Sequence, residues 1–206
     1  MGIATPPAAF QLATTQLRAT TFVIVDTETT GGSPIYHNLT EVAALKVCGG
    51  QVLGHFRSLI FGYSPIPATI VALTGITDSM CGVAPREMDV LQAFTRFVGD
   101  ATLVGHNLRF DLSFLNAALA RWGALPLTGT TIDTLRLARR LLRDEVENFK
   151  LVTLAHYLRI RTPSHRALAD VLTTADLLHE LIGRLGSDGI ETLADLHQWL
   201  PISPGG

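Results

Sequence analysis

The run Thr21–Glu28, TFVIVDTE, limits the fold of this chain more than any other segment. Phe22 to Val25 are apolar without interruption, and three of the four are β-branched, as in a strand buried on both faces. The run ends in Asp26 and Glu28, two residues apart, so the alternation of a strand turns both carboxylates to one face. Gly31-Gly32-Ser33-Pro34 then breaks the strand. Two acids on one rigid face repel each other unless a cation lies between them. Mg²⁺ suits them, because it takes oxygen ligands and keeps water and substrate phosphate in its shell. The plainer reading of the pair alone is a strand end carrying two solvated acids.

Two more strand-like runs follow, Glu41–Cys48 and Gln51–Ile60, joined through Gly49-Gly50 as a tight hairpin. Helical signals dominate afterwards. Pro67–Leu73 reads as a short helix closing at Gly75. Pro85–Val98 carries a helical stripe of Met88, Leu91, Phe94, Phe97 and Val98. Thr102–Gly105 is a short buried strand before the helix Asp111–Trp122, and Thr131–Asp133 a brief one before the helix Thr134–Leu142. Lys150–Leu158, His165–Leu185 and Glu191–Leu200 are the remaining helices, with Ser164 a natural N-cap for the second. The order implies an α/β fold with a mixed sheet. Residues 1–20 read as an arm, with a short helical piece near Phe10–Leu17. Residues 21–185 read as one domain, and 186–206 as a C-terminal helix and tail, either closing a stand-alone chain or linking to a further domain.

Composition narrows the class. A chain of 206 residues with 47% hydrophobic and 17% charged residues is a folded domain and not a disordered segment. No apolar run spans a bilayer and the first twenty residues lack a secretory pattern. Cys48 and Cys81 form no metal or redox motif, so a cytoplasmic setting is expected. A formal net charge of −2 excludes holding duplex DNA by phosphate neutralisation alone. A nucleic-acid partner has to be gripped locally, through metals and a few arginines. Arg136, Arg139, Arg140 and Arg143 recur at helical spacing on one face, which is a phosphate-tracking stripe, a partner surface or simply a solvated face.

Further acids stand in separate elements. In Val104–Phe114 (VGHNLRFDLSF), Asp111 falls near a helix start, where it either caps the helix or faces a site. In His165–Asp176 (HRALADVLTTAD), Leu168, Val171, Leu172, Ala175 and Leu178 form the apolar stripe. Asp170 lies off that stripe, either solvated or free to face a site. His165 stands at the helix entrance, where a lone histidine is ordinarily a surface residue. No glycine-rich phosphate loop is present.

Together the motif VDTETTG, the later H-x4-D of His165 and Asp170, and Asp111 between them resemble the DEDDh 3′→5′ exonuclease family. Leu73–Asp78 (LTGITD), Gly105–Asn107 (GHN) and Ile132–Leu137 (IDTLRL) add to the resemblance, which covers about Thr21 to Leu185. The chain is similar to the proofreading (epsilon) subunit of bacterial DNA polymerase III and to the N-terminal exonuclease domain of UvrC-like fusion proteins. That resemblance implies a ribonuclease H-like fold, a five-stranded mixed sheet flanked by helices. It implies two Mg²⁺ ions, with Mn²⁺ able to substitute. Asp26 would bridge both ions, Glu28 and Asp170 complete the first site, and Asp111 hold the second. His165 would be the general base, since a histidine accepts a proton near neutral pH. Thr27 and Thr29 would meet the terminal 3′-hydroxyl or sugar, and Leu73, Thr74 and Phe110 would pack around the terminal nucleotides. Many relatives have His where Thr74 stands, and Phe110 is equally a core residue. Glu41 receives no catalytic role, and His106 and Asn107 fix a loop.

The implied activity is hydrolysis of terminal phosphodiesters at single-stranded or frayed 3′ ends of DNA or RNA, releasing nucleoside 5′-monophosphates. Proofreading and DNA repair are the implied roles, beside a polymerase or a fused repair endonuclease. The competing reading is a non-catalytic nucleic-acid or polymerase-binding module. It has no use for a water-activating histidine beside four carboxylates.

Overall fold

The five strands of the computed structural model, which describes residues 16–62 and 64–200, are β1 (Phe22–Thr29), β2 (Leu39–Cys48), β3 (Gln51–Leu59), β4 (Thr102–Gly105) and β5 (Thr131–Asp133). Their order in the sheet is β3-β2-β1-β4-β5. β1 pairs antiparallel with β2 and parallel with β4, so the apolar run of the sequence is the central strand. The hairpin between β2 and β3 turns on Gly49 and Gly50, both at positive φ (58° and 76°), as a two-residue turn matching strand twist demands.

Strand alternation divides β1 between two cores. Phe22 and Ile24 join one core with Leu137, Leu154, Val171 and Leu181. Val23 and Val25 join the other with Val90, Phe94, Phe114 and Leu115. Helices α1 (Ala68–Thr74), α2 (Asp78–Cys81), α3 (Glu87–Val98), α4 (Leu108–Arg121), α5 (Thr134–Leu141), α6 (Leu151–Leu158), α7 (Ala167–Ser187) and α8 (Leu193–Trp199) complete the described chain. The first core is roofed by α5, α6 and α7, the second by α3 and α4. Asp26 and Glu28 have the parity of Phe22 and Ile24, so they face the side that α7 covers.

Several helix ends differ from the sequence expectation. The stripe of α3 is turned: Val90 is buried, whereas Met88 is exposed. α4 begins three residues before Asp111, and its N-cap is Asn107 in the left-handed region (φ 67°). Asp111 therefore does not cap it. A side chain at Gly105 would meet Leu108 Cδ1 at 2.9 Å and Leu108 Cα at 3.3 Å, so glycine lets α4 start close against the end of β4. Ser164 does not cap α7, which has Arg166 at its N-cap position without a side-chain cap bond. α2 has no counterpart among the expected elements.

The expected helical piece near Phe10–Leu17 lies outside the described residues apart from its end, where Leu17–Ala19 forms a 3-10 turn. Leu17 is buried, and its N–H donates to Glu191 O at 2.6 Å. Ile190, Leu193 and Leu196 enter the same core as α7, and the boundary expected at residue 185 falls inside that helix. Arg140 stacks over the Trp199 ring at 4.3 Å, and Arg143 lies beyond the end of α5. The four arginines are thus not one helical face. Among the described residues no helix is long and apolar enough to cross a membrane.

Candidate active site

The end of β1 and the first turn of α7 meet to form the site. Asp26 and Glu28 project from the strand, and the packing of α7 on that face brings Asp170 to them. One carboxylate oxygen from each of the three lies within 4.8 Å of the others. Asp111 reaches the same strand end from the opposite side. Its Oδ1 accepts the Thr27 backbone N–H at 2.9 Å and the Thr27 hydroxyl at 2.8 Å.

Burial raises the carboxyl of every member, and mutual repulsion adds to it at Asp26 and Glu28. Burial pushes the Asp26 carboxyl well above the usual range, and the charges of Asp111, Asp170, Glu28 and Glu41 push it further. Glu28 is raised to about 8 by burial and then by Asp170, Glu41 and Asp111, with Arg166 opposing. Burial raises Asp111 to about 7 against the two Thr27 hydrogen bonds. Asp170 is also raised by burial, against the Ser164 N–H and the nearby His165. Four acids so placed cannot all ionise without a compensating cation. A donor set made only of carboxylate oxygens fits a hard divalent ion such as Mg²⁺ or Mn²⁺.

His165 is exposed and left-handed (φ 54°), at the entrance to α7. Its neighbours on both sides are tied down. The Ser164 N–H donates to Asp170 Oδ1 at 2.8 Å. The Arg166 guanidinium donates to Glu41 through Nε at 3.2 Å and Nη2 at 3.1 Å, and the Ala167 N–H reaches Glu41 Oε2 at 3.3 Å. Glu41 is wholly buried and also takes Arg57 Nε at 2.8 Å. Burial raises its carboxyl, but hydrogen bonds from Arg166 and Arg57 outweigh that and leave it below its usual value.

Sequence reasoning gave Glu41 no place in the site. The usable signal was an acid leading into the apolar run Val42–Leu45 of a strand, which needs a buried partner.

The residues expected around the nucleotide divide into two groups. Leu73 is 51% exposed on α1, and Phe110 is half-buried against Phe114 with ring centroids 5.0 Å apart. The threonine hydroxyls each donate to an acceptor within the protein. Thr27 donates to Asp111, Thr29 to Gly31 O at 2.7 Å, and Thr74 to Ile70 O at 3.0 Å. All three side chains are buried. His106 bridges Thr134 Oγ1 (3.0 Å) and Phe149 O (2.9 Å), and the Asn107 N–H binds Asp133 (2.9 Å), which ties the loop before α4 to the ends of β5 and α5.

Comparison with known proteins places this arrangement. The exonuclease family model named for RNase T matches residues 23–178. A Mycobacterium tuberculosis protein named as a bifunctional exonuclease/endonuclease is 46% identical over 193 residues, 90% of this chain and 30% of its own. PolC-type DNA polymerase III of Bacillus subtilis is 38% identical over 194 residues, 93% of this chain and 13% of its own. The chain therefore spans less than a third of either relative.

Among solved structures, Escherichia coli exonuclease I with a dT13 oligonucleotide superposes with a TM-score of 0.74 at 21% identity, over 82% of this chain and 42% of that one. Exonuclease X with 5′-overhanging duplex DNA gives 0.63 at 27% identity, over 82% of this chain and 93% of that one. The fold is the ribonuclease H-like one expected, a five-stranded mixed sheet with flanking helices. The chain belongs to the exonuclease family, and it is a nuclease, a hydrolase of phosphodiesters.

Proposed function

We propose that this domain is a 3′→5′ exonuclease that shortens single-stranded or frayed 3′ ends of DNA and releases nucleoside 5′-monophosphates. The observation that carries this reading is the convergence of Asp26, Glu28 and Asp170 within 4.8 Å, with His165 beside Asp170. Asp26, Glu28 and Asp170 would hold one divalent ion, and Asp111, anchored on Thr27, would share a second with Asp26. Bound Mg²⁺ or Mn²⁺ would supply activation of water and charge stabilisation at the phosphate. His165, exposed on its loop, takes the proton from the attacking water. Leu73, exposed on α1, offers an apolar surface to the terminal base, and Phe110 can add its exposed edge.

The PolC-type relatives support a place beside a polymerase, and the exonuclease/endonuclease relative supports work beside a second nuclease. Digestion of single-stranded DNA, matched and mismatched primer–template, and RNA of the same sequence tests the reading, with products identified by chromatography. Nucleoside 5′-monophosphates released fastest from single-stranded and mismatched DNA support it. Nucleoside 3′-monophosphates, or internal cutting, overturn it. RNA digested faster than DNA transfers the same chemistry to RNA ends.

A further inference from the structure

Glu41 stands directly opposite Glu28 in the β1–β2 pairing, on the face that carries the acid cluster. Like charges opposed across strands are unfavourable, and burial makes the conflict worse. Glu41 is nevertheless the one acid of this neighbourhood whose carboxyl is held below its usual value. Its two oxygens are saturated: Oε1 accepts from Arg57 Nε and Arg166 Nη2, and Oε2 accepts from Arg166 Nε and the Ala167 N–H. An acid so engaged has no lone pair left for a metal. Its chemistry is that of an anchor, and what it anchors lies 125 residues away in sequence.

The anchored segment is the entrance to α7. That helix has no local side-chain cap, and Glu41 receives a first-turn N–H from a neighbouring strand in its place. The Arg166 fork engages both oxygens of Glu41, the geometry that fixes a guanidinium most firmly. On the other side of His165, the Ser164 N–H is held by Asp170. His165 thus lies between two pinned neighbours, its own backbone also bound to Asp170 and its side chain exposed, in a left-handed backbone conformation that a free loop would leave.

We infer that Glu41, through Arg166, is a positioning residue that sets the backbone at His165 and thereby places its imidazole against the acid cluster. The inference rests on His165 being the general base. Glu41 touches neither substrate nor metal in this account. Its effect is on the proton-accepting step alone, because a small misplacement of a reacting group costs rate without costing affinity.

The test is a double-mutant cycle with two readouts, oligonucleotide digestion and Mn²⁺ binding by calorimetry. Glu41→Gln is expected to lower kcat by on the order of tenfold to a hundredfold. KM and Mn²⁺ affinity should stay within about twofold, and the change should add nothing in a His165→Ala background. Arg166→Lys, which keeps the charge and loses the fork, serves should Glu41→Gln fail to fold, and the same pattern is expected of it. Losses that multiply in the His165→Ala background, or that appear in KM or in Mn²⁺ affinity, overturn the inference while leaving a slow His165→Ala intact. A wild-type rate in His165→Ala overturns the general-base assignment itself, and this positioning role with it.

Discussion

Thr27 donates both its backbone N–H and its hydroxyl to the same oxygen of Asp111, across 84 residues of sequence. The residue lies between Asp26 and Glu28 and has opposite parity, so it turns toward α4 while they turn toward α7. One strand end therefore displays two acids on one face and anchors another acid from the far side. Removing the hydroxyl with Thr27→Val leaves the buried Asp111 with backbone hydrogen bonds only. A hydrogen bond to a charged acceptor contributes about 1.5–3 kcal/mol, and a loss of that size is expected in urea denaturation. Thr27→Ser should recover most of it. A change under about 0.5 kcal/mol in Thr27→Val contradicts the anchoring role.

The raised carboxyls give the metal-free protein a defined pH response. Glu28 moves from an ordinary value of 4.5 to about 8, and Asp111 from 3.8 to about 7. For a group whose value is raised on folding, the folded state binds the extra proton. The associated stability is fully present below the unfolded value and is lost as pH rises through the folded one. Thermal denaturation in EDTA should therefore show stability falling between about pH 4 and pH 8. Saturating Mg²⁺ should flatten that slope, because an ion in the cluster stabilises the ionised acids. A flat profile without metal contradicts the electrostatic account of the site.

The same repulsion makes a prediction about Glu28 itself. Glu28→Gln removes the cost of keeping protonated, on folding, a carboxyl that the unfolded chain ionises at neutral pH. In EDTA at neutral pH the variant should melt at a higher temperature than the wild type, while losing Mn²⁺ affinity in calorimetry. A lower melting temperature together with unchanged Mn²⁺ affinity removes Glu28 from the ligand set.

Arg140 over Trp199 ties α5 to α8. Arg140→Ala should destabilise the protein by about 0.5–1 kcal/mol through loss of the cation–π contact. The salt dependence of oligonucleotide binding should be unchanged, which a titration of binding against NaCl reads directly. A slope reduced by about one returns Arg140 to the nucleic-acid surface.

What the sequence made legible followed from periodicity. The central strand, the Gly49-Gly50 hairpin and the shared face of Asp26 and Glu28 rest on local alternation, and the fold keeps them. What escaped it was settled over long range. A local serine was the natural cap for α7, but Glu41 from β2 took that N–H. Local sequence left Asp111 either capping α4 or facing a site, because its partner Thr27 lies 84 residues away. The internal acceptors of the Thr27 and Thr29 hydroxyls, Asp111 Oδ1 and Gly31 O, carry no signal in the local pattern. Four-residue α2 is too short for any periodic signal.

The central claim is that the acid cluster at the end of β1 is the centre of a metal-dependent nuclease acting from the 3′ end. It is tested most directly with a single-stranded DNA oligonucleotide labelled at its 5′ end, followed over time on a denaturing gel. In Mg²⁺ the account predicts a ladder of labelled products shortening stepwise from full length, with no ladder in EDTA. Asp26→Asn, by removing the carboxylate proposed to be shared by two ions, should lose at least about a thousandfold in rate. Immediate release of the label as a mononucleotide, or an undiminished ladder in EDTA or with Asp26→Asn, would contradict it.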